Sequence, residues 1–137
     1  MYTHTQALTL YLKNNGITFE YVERSGKSDL LVIKYRINEL TVLDVLVFLE
    51  EDCESISFRC FTGLRVPHER RLSVYESLNE LNGAYRCVKF YIDGDEVVIG
   101  SDTVSDGDSP EASYMMLGRV VNVAQTVYPQ IFAKIIE

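Results

Sequence analysis

The residues of this chain with most chemistry to offer are two histidines, three cysteines and an acidic run. His4 and His68 are the only histidines. His68 stands in Arg65-Val66-Pro67-His68-Glu69-Arg70-Arg71, and a His beside a Glu is a pattern for proton transfer near neutral pH. Adjacent helical residues do not face each other, so this pair is expected at the surface. His4 lies in a segment expected to fray. Asp102, Asp106, Asp108 and Glu111 gather four carboxylates in one polar loop, which would suit a hard cation with oxygen ligands. The plainer reading is a solvated loop whose Ser109 and Glu111 serve a helix start. Asp93-Gly94-Asp95 resembles a fragment of a calcium loop, but Glu96-Val97-Val98-Ile99 continues as strand, so a hairpin turn is expected. Cys53, Cys60 and Cys87 are too far apart for a C-x-x-C site. Cys60 falls on an apolar strand face and Cys87 is flanked by strand residues, so both read as small hydrophobes rather than nucleophiles. No G-x-S-x-G elbow and no Gly-rich phosphate loop occurs.

The remaining chemical candidate is a basic region: Arg59, Arg65, Arg70, Arg71 and Lys89. Guanidinium groups suit carboxylates and phosphates. Here they either steer an acidic partner or pair with local carboxylates. The chain as a whole carries 13 basic and 20 acidic residues, a net charge of -7, which repels phosphate backbones at long range. Nucleic acid is therefore not an expected partner, and no metal or cofactor site is assigned.

A chain of 137 residues is read as one domain, 1–137, with room for a real core. An odd cysteine count suits reduced thiols in a cytoplasm. No signal sequence is apparent, and no stretch approaches the ~18 consecutive apolar residues of a membrane span.

The elements follow from periodicity. Ala7, Leu8, Tyr11 and Leu12 recur at helical steps and Asn14-Asn15-Gly16 ends the run. Alternation predicts strands over 17–23, 30–37, 42–50 and 55–64. Pro67 suits a helix start, and a helix to Leu81 is expected to bury Leu72, Tyr75, Leu78 and Leu81. Asn82-Gly83 reads as its stop. A hairpin over 85–102 follows. Ser109 and Pro110 then fit the N-cap and first position of a last helix, which Pro129 is expected to kink or break. The fold class is thus α+β: an antiparallel sheet of five to six strands with three flanking helices, in the order helix, three to four strands, helix, two strands, helix.

Two of the strands are apolar on both sides. Leu31, Ile33 and Tyr35 are backed by Leu30 and Val32; Leu43, Val45, Val47 and Leu49 are backed by Val42, Leu46 and Phe48. Phe61 and Tyr91 are expected on that second face. An antiparallel sheet with one wet side would alternate instead. At roughly 25 cal/mol per Å², leaving such side chains wet forfeits several kcal/mol. Three covers are open: the chain's own helices, a second copy, or a different protein. Leu30, Val32, Leu46, Phe48, Phe61 and Tyr91 are the candidate protein-binding residues.

The stretch Arg65-Val66-Pro67, Leu78-Asn79-Glu80-Leu81-Asn82, Val88-Lys89-Phe90-Tyr91-Ile92 and Asp93-Gly94-Asp95, closed by an amphipathic helix with a late Pro129, resembles the YbjN-like family of bacterial sensory transduction regulators. The resemblance is most distinctive over 66–102. It implies a fold like that of type III secretion chaperones, commonly dimeric, and a protein-binding or regulatory domain with no catalytic residue to carry over. Asn79 and Asn82 match the family element. Asn82 is expected to cap the helix and Asn79 to bond the chain entering the next strand. The function expected is non-enzymatic protein binding in a regulatory or chaperone-like role, through the apolar face or as a homodimer. The alternative is a small metal-dependent enzyme using the acidic loop 102–111.

Overall fold

The computed structural model describes residues 1–24, 26, 28–51, 55–104 and 109–137. Helix α1 (Thr3–Asn14) is followed by strands β1 (Glu20–Val22), β2 (Asp29–Arg36), β3 (Val42–Leu49) and β4 (Ser55–Arg65). A single 3₁₀ turn, His68–Arg70, leads into α2 (Arg71–Ala84). Strands β5 (Lys89–Asp93) and β6 (Glu96–Val104) and helix α3 (Pro110–Ile136) complete the order. The six strands form one antiparallel sheet in the order β1-β2-β3-β4-β6-β5. The last hairpin therefore enters with β6, not β5, against β4.

Strand alternation decides which side is filled. Leu31, Ile33, Val45, Val47, Ile56, Phe58, Cys60 and Ile99 are fully buried on one face. They share a single core with Leu8 and Leu12 of α1, Val74, Leu78 and Leu81 of α2, and Leu117, Val120 and Val127 of α3. All three described helices thus pack on the same side. No described helix is long and apolar enough to cross a membrane.

Four expectations need correction. The strand read over 17–23 shrinks to Glu20–Val22: the Ile17 N–H bonds Leu12 O at 2.9 Å, and Ile17 and Phe19, partly buried, pack against the core rather than joining the ladder. In α2 the buried stripe is Val74, Ser77, Leu78 and Leu81, so Leu72 is left 73 % exposed and Tyr75 exposed. The helix does not stop at Asn82-Gly83 but runs to Ala84, and Gly83 is not among the positive-φ glycines. Helix α3 is continuous through Pro129, so of the two outcomes expected there the break does not occur. Val127 and Ile131, on either side of the proline, are both buried in the core, and that packing holds the helix through the missing hydrogen bond.

The turns behave as their residues dictate. Gly94 closes the β5–β6 hairpin at φ 66. Gly63 sits at φ 75 in an irregularity where β4 slips against β6 between Phe61 and Arg65. There the Thr62 hydroxyl donates to Val97 O at 2.7 Å, and Glu96 Oε2 accepts the Gly63 N–H at 2.9 Å. Side chains thereby replace the ladder bonds that the extra residues remove.

Candidate functional site: the helix-free face of the sheet

The cross-strand registers lay out the second face row by row. In one row Val22, Leu30, Phe48, Ser57 and Asp102 stand side by side. The next holds Glu20, Val32, Leu46, Arg59, Gly100 and Lys89. The third holds Lys34, Asp44, Phe61, Val98 and Tyr91. Leu30, Val32, Leu46, Phe48, Phe61 and Tyr91 are partly buried, yet none belongs to the helix-covered core or packs against it. The six candidate residues therefore share one face, in two apolar patches: Val22, Leu30, Val32, Leu46 and Phe48 on one side, Phe61, Val98 and Tyr91 on the other. Val98, fully buried, and Val22 were missed from sequence. The β6 alternation opposite Phe61 could have found Val98.

Polar side chains border the patches. The Arg59 guanidinium lies over Gly100, where an added Cβ would stand 3.0 Å from Arg59 Nη1 and from Phe58 O. It donates to Asp102 at 2.7 Å, and Lys89 Nζ reaches the other Asp102 oxygen at 2.9 Å. Burial pushes the Asp102 carboxyl up, but hydrogen bonds from Ser57, Lys89 and Arg59 outweigh it and hold the group well below the usual carboxylate range. Arg24 lies 5.4 Å from the Phe48 ring centroid and Lys89 5.7 Å from that of Tyr91. The register positions of the face hold Lys34, Arg36, Arg59, Arg65 and Lys89 against Glu20, Asp44, Asp93, Glu96 and Asp102. With Arg24 over Phe48 the face carries six cations against five carboxylates, close to balance, so the chain's net charge of -7 lies elsewhere.

The other candidates fall apart in space. Arg65 pairs with Asp95, Arg70 bonds Lys134 O at 2.9 Å, and Arg71 bonds Gly94 O at 2.6 Å. The basic region is spent on local acceptors. Of the acidic loop, Asp106 and Asp108 lie outside the described residues; Asp102 is taken by its cations and Glu111 accepts the Ser109 hydroxyl at 2.6 Å. No metal-holding cluster occurs among the described residues. His68 is exposed. Cys53 lies outside the described residues. Cys60 is buried, and burial pushes its thiol up to about 12, which suits an inert core residue. Cys87, expected to be a buried hydrophobe, is exposed because the chain turns there at φ 66.

His4 is not frayed at the surface: it is 3 % exposed, with Nε2 2.8 Å from Glu50 O. Its helix is anchored from outside by Asp29 of β2, which accepts the Tyr2 N–H at 2.8 Å, the Thr5 hydroxyl at 2.6 Å and the Tyr21 hydroxyl at 3.1 Å. Burial raises the Asp29 carboxyl, and these three donors more than reverse it, leaving it below its ordinary value.

Asn82 does not cap its helix. Its side-chain amide donates to Phe90 O at 2.9 Å and its oxygen accepts the Phe90 N–H at 2.8 Å, so it pairs with the outer strand as a neighbouring strand would. Asn79, expected to make that contact, is exposed.

Comparison with known proteins agrees with this architecture. The model of the family described as "YbjN: Putative bacterial sensory transduction regulator" matches residues 4–133. The fold is similar to the crystal structure of YbjN from E. coli, titled "a putative transcription regulator", with a TM-score of 0.68 and 16% identity over 94% of this chain and 89% of that one. No curated protein matches the sequence.

Proposed function

The chain belongs to the YbjN family, and from that premise we propose that it is a non-enzymatic regulatory domain, one unit over residues 1–137, that binds protein through the helix-free sheet face. The partner we favour is a second copy of itself. One observation carries this reading: Leu30, Val32, Leu46, Phe48, Phe61 and Tyr91 lie together on a face that none of the chain's described helices covers. Its near-balanced charge makes it compatible with itself, whereas two whole molecules of charge -7 would repel if their acidic surfaces met.

The size of the face is adequate. Six strands about 4.8 Å apart and four rows of side chains make a surface of roughly 600 Å². Two such faces bury about 1,200 Å², the lower end of specific interfaces. An interface of that size suits a dimer that exchanges, and a regulatory or chaperone-like protein in the cytoplasm could trade its twin for a client on the same surface. The metal-dependent alternative has no support from Asp102, whose oxygens already hold Arg59 and Lys89.

Sedimentation equilibrium tests this. The native chain should weigh as a dimer at micromolar concentration. Phe48→Asp and Leu46→Asp should weaken the dimer at least tenfold while far-ultraviolet circular dichroism stays native, and Leu72→Asp on the exposed side of α2 should leave it unchanged. A native chain that stays monomeric at high micromolar concentration refutes self-association. A dimer indifferent to both aspartates refutes the face.

A further inference from the structure

The two outer edges of the sheet are finished differently. The hairpin bond from Ile37 N–H to Thr41 O at 3.0 Å fixes which β2 residues face β3. Residues 31, 33 and 35 turn their main-chain groups to β3, and residues 30, 32, 34 and 36 turn theirs outward. The Glu50 N–H to Ser55 O bond at 3.2 Å continues the same alternation into the β3–β4 pair. Strand β1 meets only Leu30 and Val32 of the outward set. The N–H and C=O of Lys34 and Arg36 therefore have no strand beside them among the described residues. On the opposite edge the equivalent groups of Phe90 are both taken by Asn82. The β5 edge is closed at Phe90 by a side chain, and the β2 edge is left open at Lys34 and Arg36.

The side chains at the open edge are cations. A residue placed directly opposite Lys34 or Arg36 projects its side chain to the same face as theirs. Lys34 is held by Asp44 at 2.8 Å, but both side chains are about half exposed or more, so the pair is weak and can be exchanged. Arg36 donates to the Glu39 carbonyl at 2.9 Å and pairs with no carboxylate among the described residues. The residue between them, Tyr35, lies on the helix side and packs against the core. Beside Lys34 a groove of about 240 Å³ is lined by Thr18, Phe19, Glu20, Val32 and Lys34. Glu20, which also lines it, disfavours a third carboxylate there.

We propose that the outer edge of β2 at Lys34 and Arg36 is a docking edge for an extended, carboxylate-bearing polypeptide segment, which joins the sheet as an added strand. The segment reads carboxylate, apolar, carboxylate. The two acids meet Lys34 and Arg36, and the apolar residue faces Tyr35. Main-chain bonds supply affinity and the cations supply choice. Lysine on an open edge also turns away neutral and basic strands. The side chains of Lys34 and Arg36 belong to the helix-free face, but the main-chain groups of this edge lie in the plane of the sheet, so a bound strand would widen that face rather than cover it.

The probe is a pentapeptide, Thr-Glu-Val-Glu-Thr, blocked at both ends, with Thr-Lys-Val-Lys-Thr as control. Amide exchange by NMR should show the Lys34 and Arg36 N–H groups slowed at least tenfold by saturating acidic peptide and unaffected by the basic one. Arg36→Pro removes an outward N–H and no bond to β3, so it should keep the melting temperature and weaken binding at least tenfold. Lys34→Glu, which leaves the backbone untouched, should lose the acidic peptide and gain the basic one even if the proline variant folds poorly. Equal protection by both peptides, or none at these two amides, overturns the proposal.

Discussion

Phe58 and Phe48 sit on the two sides of one sheet, on β4 and β3, and their surroundings differ completely. Phe58 is fully buried beneath the helices, inside a core to which every helix contributes. Phe48 stands in a row with Leu30 and Ser57, and an arginine from the chain's own β1–β2 connection lies over its ring. Both are phenylalanines on strands, and composition alone gives them equal weight. What separates them is the layer above: one side stabilises the fold, and the other is left for association.

The largest effect expected from this contrast is in stability. Phe58→Ala should cost about 3–5 kcal/mol, as deep aromatic truncations do, whereas Phe48→Ala at concentrations too low for association should cost about 1 kcal/mol. Urea unfolding of the two variants measures the difference. Equal losses would mean that Phe48 is covered after all and would erase the distinction between the faces.

The next effect concerns Asn82, which ties the helix layer to the edge of the sheet. Asn82→Ala leaves the Phe90 N–H and C=O without their partner and should cost about 1–3 kcal/mol. Asn79→Ala, on the exposed side of the same helix, should stay within about 0.5 kcal/mol. Thermal melts of both variants sharpen the comparison, and a reversed order would refute the pairing of Asn82 with the strand.

A smaller, pH-dependent effect distinguishes two carboxylates. Asp29 points to the helix side and is buried; Asp102 points to the bare side and is exposed. Both have folded-state values below the ordinary one. Each therefore stabilises the fold above the unfolded carboxylate value, near 4. That contribution is lost as pH falls from there through the lower folded value. Asp29→Asn should cost about 1–2 kcal/mol at neutral pH, an effect that fades in this acid window. Asp102→Asn should cost less, because water already screens its cations. A denaturation series from neutral pH to pH 2 tests the sign; a penalty that grows on acidification would contradict it.

Much of this architecture is legible in the chain, for reasons that differ by element. Strand β4 was readable because Ile56, Phe58 and Cys60 alternate with Ser57, Arg59 and Phe61, and one face of it is buried as that pattern requires. The start of α3 was readable because Ser109 and Pro110 carry local backbone preferences. The misreadings share a cause: tertiary contacts outbid local ones. Asn82-Gly83 is a sound stop in isolation, but Asn82 finds better partners eight residues on. His4 looked terminal because nothing nearby in sequence announces Asp29 as the anchor of its helix. Tyr75 and Leu72 fit the helical period as well as Val74 does, and only the position of the sheet decides between them. The doubled apolar pattern of β2 and β3 flagged the bare face, but no property of those strands reveals where the helices go.

The place of β6 bears on how fast this chain can organise itself. From β1 to β4 every strand pairs with the next one in sequence, so that half can zip up turn by turn. Cys60 of β4 must instead find Ile99 of β6, with all of α2 and β5 strung between them. Closing that long loop costs chain entropy before any contact repays it. The seam between β4 and β6 should accordingly form late, and until it does, the core strand that carries Phe58 has a naked edge that another chain could take.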